Sequence, residues 1–238
     1  MSNFRLKRIL IKLSGESLST DCFGIQVLAI QDIVNDIKEA LSLGVQLAIV
    51  IGGGNILRGG RANFQNQITR STADTMGMLA TMINALALSD ILTHSLIDNE
   101  VLASRSIDGV FQCANSKLAK RYLSEGKVVI FAGGTGNPFV TTDTTATLRA
   151  IEINADAILK VTTVDGVYDK DPNKHADAVK FEALSFDETL KRELAVMDLG
   201  AFVQARDFNI PICVFNLNNP GALLRVLHGA AEGTWIRD

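Results

Sequence analysis

A chain of 238 residues can bury a sizeable core and fits one large α/β domain or two small ones. Hydrophobic residues make up 47% and aromatic residues 6%, so aliphatic packing dominates; a net charge of −3 with no block of like charge disfavours a nucleic-acid surface as the main business. Cys22, Cys113 and Cys213 are far apart and odd in number, which points to a reducing compartment and away from zinc.

The opening MSNFRLKRILIKLSGES resembles a secretory leader only superficially, because Lys12 interrupts an apolar run too short for an h-region and no small-residue cleavage site follows. Strands are predicted at 8–13, 45–51, 100–106, 127–132, 157–161 and 210–215, alternating with helical patterns. Between the first two, Ile30, Ile33, Ile37, Ala40 and Leu41 have the spacing of a helix that covers one face of a sheet. Such alternation predicts crossover connections and a largely parallel sheet between layers of helices. No repeat, low-complexity tract or Pro/Gly/Ser linker interrupts it, so one domain over 1–238 is expected.

The segment 74–92 is unusual. Met76, Leu79, Ile83 and Leu86 form one apolar stripe, and Met78, Met82, Ala85 and Leu88 cover the other side. A helix apolar all round must be buried all round, either centrally in the fold or, the preferred reading, against a second subunit. Its longest uncharged stretch, 75–89, falls short of the roughly 20 residues needed to cross a bilayer. The expectation is a soluble, cytosolic protein.

Three predicted strands end in small-residue loops: ILIKLSGES, LAIVIGGGN and VVIFAGGTGN. In parallel sheets ligands sit beyond the carboxyl ends of the strands, so three such loops point to one site. Neither GxGxxG nor GxxxxGK[ST] occurs, which excludes a Rossmann dinucleotide site and a Walker-type ATPase. The richest segment is 133–146, GGTGNPFVTTDTTA. Gly133, Gly134 and Gly136 would let the backbone approach a ligand, and a loop of this kind opening a helix at about Thr144 directs N–H groups at an anion. It reads equally as a surface loop with Thr142 or Asp143 as N-cap.

Lys12 shares a strand face with Leu10 and Ser14, opposite Ile9, Ile11 and Leu13. It either reaches solvent or, if interior, demands an anionic partner such as a phosphate. Arg58 could fork onto phosphate oxygens or lie on the surface. Asp74 is a carboxylate favoured by a helix dipole, or an acceptor for sugar hydroxyls. Segment 161–172, VTTVDGVYDKDP, reads as a hairpin first and a nucleotide edge second, with Tyr168 able to pack on a base or on the core. His94, His175 and His228 match no metal or triad spacing. Phosphoryl transfer, which needs positioning and positive charge more than a strong base, suits these residues best.

Taken together, KLSGE (12–16), VIGGGNILRG (50–59), DTMGMLAT (74–81), GTGNPFVTTDTTA (134–146), VDGVYDKDP (164–172) and VMDLGAF (196–202) resemble the bacterial uridylate kinases of the amino-acid kinase family, from Arg8 to the C-terminus. The resemblance implies a three-layer αβα sandwich with a largely parallel central sheet. It also implies a homohexamer that moves the γ-phosphate of ATP onto UMP in pyrimidine nucleotide biosynthesis. By that resemblance Lys12, Leu13, Ser14 and Gly15 form the ATP-phosphate loop, with Lys12 stabilising the phosphoryl in flight. Gly54 and Arg58 also contact ATP phosphates, and Thr162, Tyr168 and Asp171 take the adenosine. UMP is held by Gly53, by Asp74 at the ribose, and by Thr135, Gly136, Asn137, Pro138, Phe139, Val140, Thr141 and Thr142. Asp143 matches the acidic residue implicated in transfer through Mg²⁺, and Asp198 one that orders the lysine network. Mg²⁺ would bridge phosphates and keep several waters, without a dedicated protein cage.

The sequence departs from GTP-activated members of that family. Ser89, Thr93, Glu100 and Lys127 occupy the effector positions, only one of them basic, and the 20–24 region is shortened. Weak or absent GTP activation is expected. Two other readings stand beside the leading one: another amino-acid kinase acting on a carboxylate, carbamate or phosphate, and a non-catalytic nucleotide or oxyanion binder on the same scaffold. The joint presence of Lys12, Arg58 and Asp143 favours catalysis. Uracil selectivity rests wholly on the resemblance.

Overall fold

The computed structural model describes residues 6–19, 23–57, 67–194 and 196–238. In chain order the elements are β1 (Arg8–Leu13), α1 (Val27–Ser42), β2 (Gln46–Ile51), α2 (Arg70–His94), β3 (Asn99–Ala103), β4 (Gln112–Cys113), α3 (Ser116–Ser124) and β5 (Val128–Ala132). Then follow α4 (Thr142–Ile153), β6 (Ala157–Val161), β7 (Ala183–Leu184), α5 (Phe186–Lys191), α6 (Leu199–Asp207), β8 (Ile212–Phe215), α7 (Ala222–Leu227) and β9 (Thr234–Ile236). The strands form one sheet in the order β4-β3-β5-β2-β1-β6-β8-β9-β7. Every pairing is parallel except β8 with β9. The six expected strands are present with ends shifted by up to three residues. The additional strands β4, β7 and β9 are too short to leave a periodic signal in the sequence.

Each face of the sheet carries its own core. Ile9, Ile11 and Leu13 of β1 join Leu47, Ile49 and Ile51 of β2 under α1, α2 and α7. Leu10, Ala48, Val50 and Phe131 point the other way, under residues of α3, α4, α5 and α6. This is the three-layer sandwich, and it explains why β1 and β2 are apolar on both faces: strands between two helical layers meet no solvent. In α1 the buried positions Ile30, Ile33, Val34, Ile37 and Ala40 follow the helical repeat and face the sheet.

α2 starts earlier than the sequence suggests, because Thr69 caps it by accepting from the Thr72 N–H, which leaves Asp74 a full turn inside. With 25 residues it is long and apolar enough to cross a membrane. One side is spent on the core, through Ala73, Ala80, Met82, Ala85, Leu88 and Leu92. The other side is open, with Leu79, Ile83 and Leu86 exposed at 48%, 50% and 45%. Of the two readings offered by its composition, central burial is therefore corrected: α2 is buried on one side only.

A pair of fully buried asparagines ties this helix to the loop that follows β2. Asn84 donates to the Asn55 carbonyl oxygen (2.7 Å) and to the Gly52 backbone oxygen (2.7 Å), while Asn55 donates back to Asn84 (3.1 Å) and to Gly24 O (2.7 Å). Buried amides of this kind are costly once a partner is missing. Asn84→Ala strips donors from two buried oxygens and is expected to lower unfolding free energy by about 3 kcal/mol, read from the urea midpoint.

Candidate active site

β1 and β6 are parallel neighbours, and their register places Lys12 directly beside Lys160. Two ammonium groups side by side, each one residue from the carboxyl end of its strand, repel each other unless an anion lies between them. Asp143 supplies it: Lys12 Nζ is 2.9 Å from Oδ1 and Lys160 Nζ is 2.8 Å from Oδ2. All three side chains are largely buried, at 12%, 14% and 14% exposure. Lys160 also donates to the Val196 carbonyl. Burial alone would raise the Asp143 pKa, but the positive charges of Lys12 and Lys160 hold it below the ordinary value. Burial pushes Lys160 down, with Lys12 adding to the effect and Asp143 opposing it. With both ammonium groups protonated, the trio carries one net positive charge.

Asp143 is free to do this because it is not the helix cap. Thr141, in extended conformation, accepts from the N–H groups of Asp143 and Thr144, so α4 begins at Thr142 rather than near Thr144. That corrects the expectation of Thr142 or Asp143 as N-cap, and places Asp143 in the first turn. Asp198 caps α6 through the Ala201 N–H (2.9 Å) and accepts from the hydroxyls of Thr141 and Thr144. It therefore holds the start of α4 directly and reaches Lys160 only through space, as a charge.

The glycine loops converge here as expected. A Cβ on Gly53 would lie 2.8 Å from the Ala80 side chain and 2.9 Å from the Gly77 oxygen, so glycine lets the loop press onto α2. Gly133, with φ 75°, has no room because Met82 and Ser104 stand 2.5 Å from its missing Cβ. Its need for glycine comes from the chain's own packing rather than from an approaching ligand. The Thr81 hydroxyl accepts from the Gly133 N–H at 2.7 Å, and Ser104 donates to the Gly133 oxygen, fixing the first residue of the 133–142 loop.

Thr135 and Pro138 are partly buried and Gly136 is buried, whereas Asn137, Phe139 and Val140 are exposed. Asp74 meets this loop by accepting the Phe139 N–H at 2.8 Å. Its carboxylate is also gripped by Arg70 Nε at 2.8 and 2.9 Å, and the Arg70 guanidinium lies over the Phe139 ring. Arg58 lies outside the described residues, as does the 20–22 part of the shortened segment.

Beyond the strand tips a cavity of about 900 Å³ is lined by Ser14, Ser17, Thr162 and Asn218, among others. Thr162 lines it; Tyr168 and Asp171 stand farther along the same loop. Segment 161–172 is not a hairpin on itself. Its antiparallel partner is 179–181, with a bridge between Tyr168 and Lys180. The paired turn signals at 165–166 and 171–172 concealed the longer return. Ser89, Thr93, Glu100 and Lys127 are engaged among themselves or with Asn99: Ser89 donates to Asn99 (2.6 Å), Asn99 to Thr93 (3.0 Å), and Lys127 to Glu100 (2.8 Å).

Sequence reasoning missed Lys160 and Arg70. Lys160 carried a usable signal, since it interrupts the apolar strand AILKV just as Lys12 interrupts ILIKL. Arg70 stands four residues before Asp74, the spacing of a helical ion pair, but the apolar pattern that marks the helix in the sequence starts only after it.

Residues 7–216 match the amino acid kinase family. A uridylate kinase from Francisella tularensis subsp. holarctica (strain FTNF002-00 / FTA) is 60% identical over 233 residues, spanning 98% of this chain and 94% of that protein. The crystal structure of a UMP kinase from Bacillus anthracis superposes with a TM-score of 0.95 at 39% identity, covering 98% of this chain and 97% of that one. That of a UMP kinase from Ureaplasma parvum gives 0.91 at 36% identity, covering 98% and 100%.

The depressed Asp143 pKa has a pH signature. Its ion pairs contribute stability above the unfolded carboxyl value near 3.8, and that stability is lost as pH falls through the lower folded value. Asp143→Asn is expected to flatten this acid limb and to lower unfolding free energy at pH 7 by about 3 kcal/mol, since two buried lysines lose their anion. Urea titrations across pH 3 to 7 read both effects.

Proposed function

The chain belongs to the amino acid kinase family, and from its likeness to uridylate kinases we infer that it is a nucleoside monophosphate kinase, transferring the γ-phosphoryl group of ATP to UMP. A UMP phosphate oxygen bonds to the γ-phosphorus, the bond from that phosphorus to the β-bridging oxygen breaks, and ADP leaves with the electron pair. The acceptor is a phosphate, largely ionised at neutral pH, so no side chain has to remove a proton. That agrees with a centre built of two lysines and an aspartate, with no histidine bonded to any of them.

In this reading Lys12 and Lys160 straddle the phosphoryl in flight, where three equatorial oxygens carry developing charge. Asp143 keeps the two cations close together before substrate arrives, so their reorganisation is not paid for during the reaction. Leu13, Ser14 and Gly15 with Gly54 cradle ATP phosphates, with Arg58 assigned there by resemblance. Gly53, Asp74 and the 135–142 segment hold UMP, and Thr162, Tyr168 and Asp171 hold adenosine. Asp198 positions the α4 start through Thr141 and Thr144. Its carboxylate bound to Arg70, Asp74 is already oriented toward the loop that would cover UMP.

Mg²⁺ would enter with ATP. Among the described residues no group of three or more His, Cys, Asp or Glu side chains could cage an ion, and both Asp143 oxygens face lysines. Mg²⁺ would supply charge neutralisation on the ATP phosphates and keep several waters. The open stripe Leu79, Ile83 and Leu86 on α2 supports self-association, as a homohexamer by resemblance. A single domain over 1–238 and a cytoplasmic location complete the proposal.

The observation that carries this reading is the in-register lysine pair closed by Asp143. Lys12→Ala, Lys160→Met and Asp143→Asn are each expected to cut kcat by about 100-fold or more while changing the KM for UMP less than about threefold, because their task lies in the transition state. ADP release measured across a panel of nucleoside monophosphates should favour UMP. Full turnover by Lys12→Ala would overturn the mechanism. GTP is expected to change the rate by less than about twofold, since the sole cation among the effector positions is already paired with Glu100. A clear rate enhancement by GTP with unchanged GTP affinity in Lys127→Ala would mean that another pocket is used.

A further inference from the structure

We propose that Thr234, on the last strand of the sheet, is a positioning residue for ATP: its hydroxyl sets the 162–181 loop that presents Tyr168 and Asp171. The inference rests on the adenosine reading of that loop.

The loop leaves β6 at Val161 and returns alongside itself at 179–181. Its two arms are joined by few bonds. Phe181 N–H donates to Val167 O at 2.9 Å, Asp169 N–H to Val179 O at 3.1 Å, and Val179 N–H to the Asp169 carboxylate at 2.8 Å. An ordinary antiparallel pair would return the first of these bonds, from Val167 N–H to Phe181 O. Here the Thr234 hydroxyl stands in that place. It accepts from Val167 N–H at 2.9 Å and donates to Phe181 O at 2.5 Å. One side chain thus satisfies a donor on one arm and an acceptor on the other, and it is fully buried.

The neighbouring residue confirms how close the fit is. A Cβ on Gly166 would lie 2.6 Å from Thr234 Oγ1 and 2.9 Å from Lys180 Cδ, so the first arm settles onto the hydroxyl only because residue 166 is glycine. Immediately beyond Val167, the Tyr168 hydroxyl donates to Asp165, and Lys180 reaches the same carboxylate at 3.1 Å. Tyr168 is therefore oriented by contacts on both arms, and Thr234 fixes the separation of those arms. Among the described residues nothing comparable links Thr234 to Lys12, Asp143 or the UMP loop, so its effect should fall on one substrate.

Thr234→Val keeps the shape and removes the hydroxyl. It is expected to raise the KM for ATP about tenfold, with kcat and the KM for UMP within about twofold, because two buried backbone groups lose their partner and the arms part. Thr234→Ser should recover most of the loss. The emission of Trp235, the single tryptophan, reports whether each variant is folded. Should Thr234→Val not fold, Gly166→Ala presses on the same contact from the loop side and should raise the KM for ATP in the same selective way. Equal changes in both KM values, or a fall in kcat alone, would reduce Thr234 to a structural residue and overturn the proposal. Tyr168→Ala separates the two levels: a raised KM for ATP there with an unchanged one in Thr234→Val refutes only the role of Thr234, whereas no change in Tyr168→Ala refutes the adenosine reading and this proposal with it.

Discussion

Two like charges forced together organise the active end of this molecule. β1 and β6 pair in a register that cannot separate Lys12 from Lys160, since a slip by one residue would turn each strand's side chains to the wrong layer. The sandwich removes most of the water that would otherwise screen them. What results is a demand for negative charge that Asp143 meets in part, leaving one positive charge over. The placement of α4 follows from that demand: Thr141 takes the capping duty, Asp198 holds Thr141 and Thr144, and the aspartate in the first turn is left to face both ammonium groups.

The second constraint is proximity. Loops from β1, β2 and β5 reach the same rim, and each must pass close to another part of the chain. Gly53 lies against α2 and Gly133 against Met82 and Ser104, so these glycines are dictated by neighbours within the protein. The buried Asn55–Asn84 pair then bonds the β2 loop to the helix behind it. The rim is held by hydrogen bonds that solvent does not reach, which is what phosphate-binding backbone needs if it is to be rigid before the nucleotide arrives.

Much of this was legible in the sequence because it rests on periodicity and small-residue punctuation. All six long strands, the parallel arrangement, the face of β1 on which Lys12 lies, and the convergence of glycine loops could be read in this way. The shortest strands could not, since two or three residues carry no period. The start of α2 was misplaced because a threonine cap before an arginine gives a weaker signal than an aspartate before an apolar run. Lys160 interrupts its strand just as Lys12 does, but only the strand order puts the two next to each other. The return of the 162–181 loop was hidden likewise, because its partner is a bridge of single residues joined through the distant Thr234.

α2 has a double allegiance. Its inner side carries Asn84, which grips the β2 loop, while Ile83 and Leu86, one and two residues away, look outward. A rod of packed helix is stiff across its width, about 10 Å with side chains. A load placed on the outer flank would thus be felt by Asn84 and, through it, by the loop that follows β2.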